Sequence, residues 1–575
     1  RQAVLPLLYL TLALWAVHVF FIGQLTFTGD EVRYVAYGLG LFNGEGFHPA
    51  DATWLRMLGR MADTFPIKES PAGHAGALIH SVVYPILGSP AIFLGGLAAA
   101  RWFSFGVGIT GLVILFFTLR RRFDPRASLA AVIAVAFACP LLFYLRLFFA
   151  EILLFTVNCL VVFCFISENY KKSKYTFWFA LFFCLLPFVH VKLSLEAATA
   201  FAILLVTARR QGSSNARLLA LISMAGGMLL LYLLHNHALF GAAIGGASPA
   251  FPVTPLAIPD RILVNLLDIR HGLIPNAPHL LFALIGLGLA ARDKDPQSRI
   301  LIALFTAYFF TMLWANGSEA YAARNWAAAA PFVAYGFARW LQGTTKAALA
   351  GAVPFFLLSL CVTCVLLKYP AAFLDSRNYS IPYEKLYELL PCFHFGYLLP
   401  YDFLDHLDAP LNSALPLGLP VFGVLGLYAA GQLASRREAS VRTGLALQGL
   451  ALAVIVFFTL VTPVEMTAVV LTHDTDHYFV NIHLETPERL AFVRLDNPEA
   501  SMNPYGFFQL ALLKDHTVAR TLRSRASAIV PLPPFTATDA VMIAETVTRA
   551  DQHWLESATG ATAFRRMLAL PGLGD

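Results

Sequence analysis

Apolar runs of about 15 to 25 residues recur along almost the whole chain, separated by short charged or Pro/Gly-containing breaks. A run of that length suits one environment above others. About 20 apolar residues wound as a helix cross the hydrocarbon core of a bilayer, where each backbone polar group must be satisfied within its own segment. Thirteen such spans are expected, near 4–27, 97–119, 128–145, 149–167, 176–190, 194–208, 218–234, 279–291, 300–315, 326–341, 347–367, 414–434 and 443–462. Composition agrees: the chain is 58% apolar and only 13% charged, with a mean hydropathy of +0.65, whereas soluble chains carry about 25% charge. Secreted enzyme, cytosolic enzyme and DNA-binding protein are thereby excluded. The net charge of +6 reflects 41 basic and 35 acidic residues distributed by topology, and implies no nucleic-acid partner. The seven cysteines lie mostly inside apolar runs and read as small buried hydrophobes, not as a disulfide or zinc framework.

Charge sets the orientation. The loops containing Arg120–Arg122 and Arg126, Lys171–Lys174, Arg209–Arg217, Arg292–Arg299, Arg339–Lys346 and Arg436–Arg442, together with Arg1, hold nineteen basic residues against five acidic ones. By the positive-inside rule these loops and the N-terminus are cytoplasmic. The first run has no small-residue cleavage site and is expected to be a retained span. The other side receives the long segments 28–96, 235–278, 368–413 and the tail from 463, where chemistry is expected. Residues 30–43 and 51–63 have the apolar spacing of short amphipathic surface helices, and 75–88 that of a third, ending near Pro85. Segment 241–260 reads as a loop. In the tail, β-like runs at Thr467–Thr472, Tyr478–Leu484 and Leu490–Leu495 precede a helical pattern at 537–570, which predicts a small α+β domain over 463–575 outside the membrane, after a transmembrane domain over 1–462.

Ionisable groups near the ends of apolar spans are functional candidates, because burying them is costly. On the far side these are Asp30 and Glu31 in GDEVRY, Glu69 in KESP, Glu151, Lys192 and Arg324. Carboxylates converging with a lysine and an arginine suit transfer from a phosphate-linked donor: one carboxylate deprotonates an acceptor hydroxyl while the cations stabilise the departing phosphate. Arg270 and His271 in DIRHGLIP are further phosphate candidates. Each also has a structural reading: Asp30 and Glu31 as helix caps, Glu151 paired with Arg146, Lys192 snorkelling to the interface, Arg324 serving topology alone. The HDTDH run at 473–477 reads as a solvated loop.

The order of an apolar span, GDEVRY (29–34), surface helices, KESP (68–71), the Tyr84-Pro85 helix and Arg101 opening a span resembles the membrane-embedded GT-C glycosyltransferases. Within these the chain is most similar to the branch holding lipid A aminoarabinose transferases and protein O-mannosyltransferases. Arg146 and Glu151 in YLRLFFAEILLF, the His190-Val-Lys192 turn and ARNWAAAAP (323–331) extend the resemblance over roughly residues 4–340. Ser70 stands where that branch carries a lysine.

The resemblance implies an all-α polytopic membrane protein of GT-C type, with about thirteen transmembrane helices, periplasmic amphipathic helices and the C-terminal domain in the periplasm. It further implies a polyprenyl-phosphate sugar as donor and an inverting displacement onto a glycan, lipid or protein acceptor. In that scheme Asp30 is the general base, Glu31 or Glu151 supports it, and Lys192 and Arg324 hold the donor phosphate. Glu69 with His74 or His80 matches a position near a divalent metal. Ala-rich spans and 33 prolines point to a bacterial inner membrane. The reading that competes is a transporter or lipid flippase, which would show repeats and interrupted midplane helices. A polysaccharide ligase or polymerase fits less well, since 368–413 holds three basic residues against six acidic ones.

Overall fold

A computed structural model describes residues 4–20, 30–42, 44, 82–240, 257–267, 272–315, 323–368, 414–436 and 440–459, and seven strands between 468 and 544. Among these residues the protein is mostly helical. Its helices are α1 (Val4–Phe20), α2 (Asp30–Phe42), α3 (Val83–Leu119), α4 (Pro125–Ala136), α5 (Ala150–Ile166), α6 (Ser173–Val189), α7 (Ser194–Arg210), α8 (Asn215–Phe240), α9 (Ala257–Leu267), α10 (Leu281–Arg292), α11 (Pro296–Ala315), α12 (Arg324–Leu341), α13 (Lys346–Lys368), α14 (Ala414–Ala434) and α15 (Val441–Thr459). Four described helical stretches are each long and apolar enough to cross a membrane: Val83–Leu119, Val191–Arg210, Asn215–Leu239 and Lys346–Lys368. Their outward faces bear them out. Leu219, Ile222, Leu229, Leu230, Leu231 and Leu234 of α8 are all exposed, an apolar surface that water would not tolerate and lipid would.

Residues 1–255 and 276–374 form one compact unit, and residues 256–275 and 375–575 a second. In the first, α12 is the central helix. Nearly every residue from Asn325 to Trp340 is buried, because the run Ala327–Ala330 lets neighbouring backbones come close. Its tightest neighbour is α10. A Cβ on Gly286 would stand 1.7 Å from the Gly336 carbonyl oxygen, so only glycine fits this crossing. Helix α5 packs on another side of α12, with the Asn158 amide donating to the Ala328 carbonyl at 2.9 Å.

Two segments depart from the hydropathy pattern. The surface helix expected over 75–88 and the span expected from 97 are one element, α3, broken at Gly95 and Gly96; Gly96 has φ +60°, ψ −146°, a conformation open to glycine. Pro85 sits in the first turn of α3, where its missing N–H costs nothing, and not near a helix end; residues 75–81 lie outside the described residues. The third span, expected as one helix over 128–145, is instead α4, a non-helical step at 137–140 and the short turn Leu141–Tyr144. Pro140 has no N–H with which to continue the α4 ladder. Helix α4 starts cleanly: Pro125 stands at its first position and the Asp124 carboxylate accepts from the Arg126 N–H at 2.8 Å. The six cysteines among the described residues are all free thiols, Cys361 and Cys364 included.

In the second unit α14 and α15 form a hairpin whose backbones meet at Gly431 and Gly444. Gln432 donates to Gln448 at 3.1 Å, and Gln448 to Ser435 at 2.8 Å. Helix α9 packs against α14. The strands are β1 (Ala468–His473), β2 (Tyr478–His483), β3 (Phe492–Arg494), β4 (Phe507–Lys514), β5 (Thr517–Arg525), β6 (Ile529–Pro531) and β7 (Asp539–Ala544). Five make an antiparallel sheet in the order β1-β2-β7-β4-β5, and β3 pairs with β6. Where the pattern over 537–570 predicts a helix, the chain opens with β7; its Val541-Met542-Ile543 core serves a strand as readily as a helix, and pairing on both sides decides between them.

Candidate active site

Three backbone features bring ionisable side chains to one end of the first unit. Helix α2 packs on α3 through Tyr34, Val35, Tyr37, Tyr84, Ile92 and Ala100, which also surround Phe148. The turn 145–149, left non-helical after the interrupted third span, presents a backbone N–H with no helical partner. Helices α5 and α12 begin at the same level, so Glu151 in the first turn of one meets Arg324 at the first position of the other. Ala323, at φ +49°, makes the sharp turn into α12.

Glu31 is fully buried. Arg101 donates to it through both Nε (2.8 Å) and an Nη (2.7 Å), and the Phe148 N–H adds a third bond at 2.9 Å. A carboxylate held by a bidentate guanidinium and a backbone donor is fixed in place. Glu151 is the second anchor. Arg324 donates to it at 2.6 Å and 3.3 Å, and the Lys192 ammonium lies 3.5 Å away while bonding the Asn325 side chain at 2.9 Å. The Arg324 guanidinium also covers the Phe149 ring, 5.0 Å from its centroid. Lys192 sits on a single 3-10 turn, Val191–Leu193, whose cap is the His190 ring accepting from the Lys192 N–H at 3.1 Å. The segment 146–151 thus links both anchors.

Of the residues singled out in the sequence, Glu31, Glu151, Lys192 and Arg324 come together here. Asp30 is the first residue of α2, next to Glu31; its side chain lies outside what is described, as do Glu69, His74, His80, Arg270, His271 and residues 474–477 of the HDTDH run. Among the described residues no three His, Cys, Asp or Glu side chains are grouped as a metal site. Glu151 takes Arg324 and Lys192 as partners, not Arg146. Arg146 instead donates to the His18 carbonyl and stacks on Trp102, 4.8 Å from the ring centroid. Lys192 is held at Glu151 and does not snorkel outward.

Two buried groups escape the hydropathy pattern. Glu196, one turn beyond Lys192, is fully buried with no hydrogen bond to either carboxylate oxygen. His18, inside α1, is fully buried with neither ring nitrogen bonded. Both are ionisable residues inside an apolar helix, the pattern that signals function in a membrane segment. Tyr84 and Ser104, linked at 2.6 Å, form a further buried polar pair on α3.

Arg101, Arg146, Lys192 and Arg324 outnumber Glu31, Glu151 and Glu196, so the described side chains leave an excess of positive charge in a largely buried setting. Such a site favours an anion, and would stabilise negative charge developing on a leaving group. No known family, curated protein or solved structure matches the chain.

Proposed function

We propose that the protein is a membrane glycosyltransferase that takes a sugar from a polyprenyl-phosphate carrier and passes it to a glycan, lipid or protein acceptor on the periplasmic face of a bacterial inner membrane. The observation that carries this reading is the buried cluster of Arg101, Lys192 and Arg324 around Glu31 and Glu151, at the end of the bundle opposite the basic loops. An anionic lipid headgroup would meet that charge at the depth where a carrier lipid presents its phosphate. Thirteen spans with the N-terminus inside, and a periplasmic α+β tail, belong to the same proposal.

In the reaction, the Asp30 carboxylate accepts the proton of the acceptor hydroxyl. The acceptor oxygen attacks the anomeric carbon from the face opposite the phosphate, and the bond from that carbon to the phosphate oxygen breaks. Polyprenyl phosphate leaves with the electron pair and needs no proton, because the surrounding cations stabilise its charge. Glu31, locked by Arg101 and Phe148, fixes the start of α2 and hence Asp30. Glu151 keeps Lys192 and Arg324 at the mouth of the phosphate position as their counter-ion.

Mass spectrometry of lipids that co-purify with the full-length protein tests the reading. Wild type and Asp30→Asn are both expected to retain a polyprenyl-phosphate sugar, and only wild type to consume it when acceptor is added. A wild-type protein that carries no such lipid but moves a labelled lipid between leaflets would replace the enzyme with a transporter.

A further inference from the structure

Among the described cations at this end of the bundle, Arg146 differs from the rest. Arg101 is paired with Glu31, and Lys192 and Arg324 with Glu151. Arg146 bonds no carboxylate: it donates to the His18 carbonyl, lies over the Trp102 ring, and its Nε is buried with nothing to bond. Beside it is His18, whose ring stands edge-on to Phe105 at 5.1 Å between centroids and whose two nitrogens are likewise buried and unbonded. A guanidinium donor and an imidazole left unsatisfied together inside an apolar helix layer cost free energy unless a ligand supplies the acceptors.

Exposed apolar and aromatic side chains flank this pair on the outer faces of α1 and α3. On α1, Trp15, Val19 and Phe20 around His18 are exposed, and Trp102 on α3 is also exposed. Tryptophan in such a setting marks the headgroup level of a bilayer. A ligand reaching His18 and Arg146 between α1 and α3 therefore comes with an apolar tail in the membrane and an anionic head at the pair.

We infer that His18 and Arg146 form a binding site for the phosphate group of a lipid, with Arg146 Nε and whichever His18 ring nitrogen carries the proton as its donors. Resting on the glycosyltransferase reading, this assigns the carrier phosphate to His18 and Arg146 rather than to Lys192 and Arg324, which already share the Glu151 carboxylate. The leaving phosphate then departs against Arg146 without displacing Glu151 from its partners.

The test is a titration of the full-length protein, in nanodiscs of zwitterionic lipid, with three probes: a polyprenyl phosphate, the matching polyprenol, and phosphatidylglycerol. Wild type should bind the polyprenyl phosphate and ignore the polyprenol. Arg146→Gln and His18→Phe should each weaken that binding by about tenfold or more, the scale of losing one charge-assisted hydrogen bond in a buried site. Arg146→Lys, which keeps the charge, should weaken it less, and melting curves identify any variant that fails to fold. Unchanged affinity in folded Arg146→Gln and His18→Phe, with loss in Lys192→Ala, would overturn the assignment. Arg146-dependent binding of phosphatidylglycerol without any binding of polyprenyl phosphate would uphold the phosphate site while removing the glycosyltransferase reading.

Discussion

At one end of the first unit, Glu31 and Glu151 are 0% and 1% exposed, and each is surrounded by several donors. At the other end, where the basic loops lie, three further ion pairs have a different character: Lys171–Glu168, Arg122–Asp295 and Arg339–Asp293 all keep roughly a quarter to a half of each side chain in solvent. The same helices build both ends. Helix α5 runs from Glu151 to just before Glu168, about 25 Å at 1.5 Å per residue, and α12 from Arg324 to beyond Arg339. Charge at the basic end suits its exposure to solvent and the helix C-termini there, which favour cations such as Arg339 in the last turn of α12. Charge at the far end has no such explanation. Burying a carboxylate and its cation costs more in desolvation than a surface pair does and returns little net stability, so its retention there points to use.

The contrast is sharpest at Glu31. Glu31→Ala leaves the Arg101 guanidinium buried with its bidentate partner gone, and is expected to destabilise the protein by about 3–5 kcal/mol. Arg101→Ala should do comparable harm, and the double variant clearly less than the two together. Thermal unfolding of the four proteins in one detergent measures this. If Glu31→Ala costs no more than a surface pair, the two ends are alike and the functional argument from burial falls.

Glu151→Gln probes the second anchor more gently. The amide oxygen still accepts from Arg324, but the negative charge facing Arg324 and Lys192 is lost, so the expected cost is about 1.5–3 kcal/mol, the range for hydrogen bonds to charged groups. Activity should fall further than stability, because Lys192 and Arg324, no longer held by a negative charge, would compete with Arg146 for the leaving phosphate and slow its release. Comparing the melting temperature with product release in single-turnover and steady-state assays separates these effects.

How far these arrangements were legible beforehand depends on the kind of constraint. Long helices announce themselves by their apolar runs, and α5 to α8 and α10 to α13 lie where the runs at 149–367 predict them. Glu31, Glu151, Lys192 and Arg324 stood out because each interrupts or borders an apolar run. Their pairing did not. That Glu151 meets Arg324, 173 residues later, depends on α5 and α12 starting at one level, a tertiary fact with no local signal. The break of α3 at Gly95–Gly96 was visible only as two glycines among many. The step at Pro140 lay inside a run whose mean hydropathy hid it, though a proline after Cys139 is a local warning against a continuous helix. His18 and Glu196 were masked by the strength of the apolar pattern around them.

The smallest effect belongs to the basic end and closes the comparison. Asp293 accepts from Arg339 at 2.8 Å and 2.9 Å, with both side chains about a quarter exposed. Asp293→Ala should cost less than about 1 kcal/mol and lose even that as salt is raised, because solvent already screens the pair. The hydrogen bonds from Arg339 hold the Asp293 carboxyl below the ordinary aspartate value. A carboxyl whose pKa is lowered by folding stabilises the folded state above its unfolded value of about 3.9, and that contribution disappears as pH falls through the lower, folded value. The difference between wild type and Asp293→Ala should therefore be constant from neutral pH down to about pH 5 and vanish only in stronger acid. A difference that instead rivals Glu31→Ala at neutral pH and ignores salt would mean that the basic end, too, holds its charges out of water, and burial alone would no longer distinguish a working site from an anchoring one.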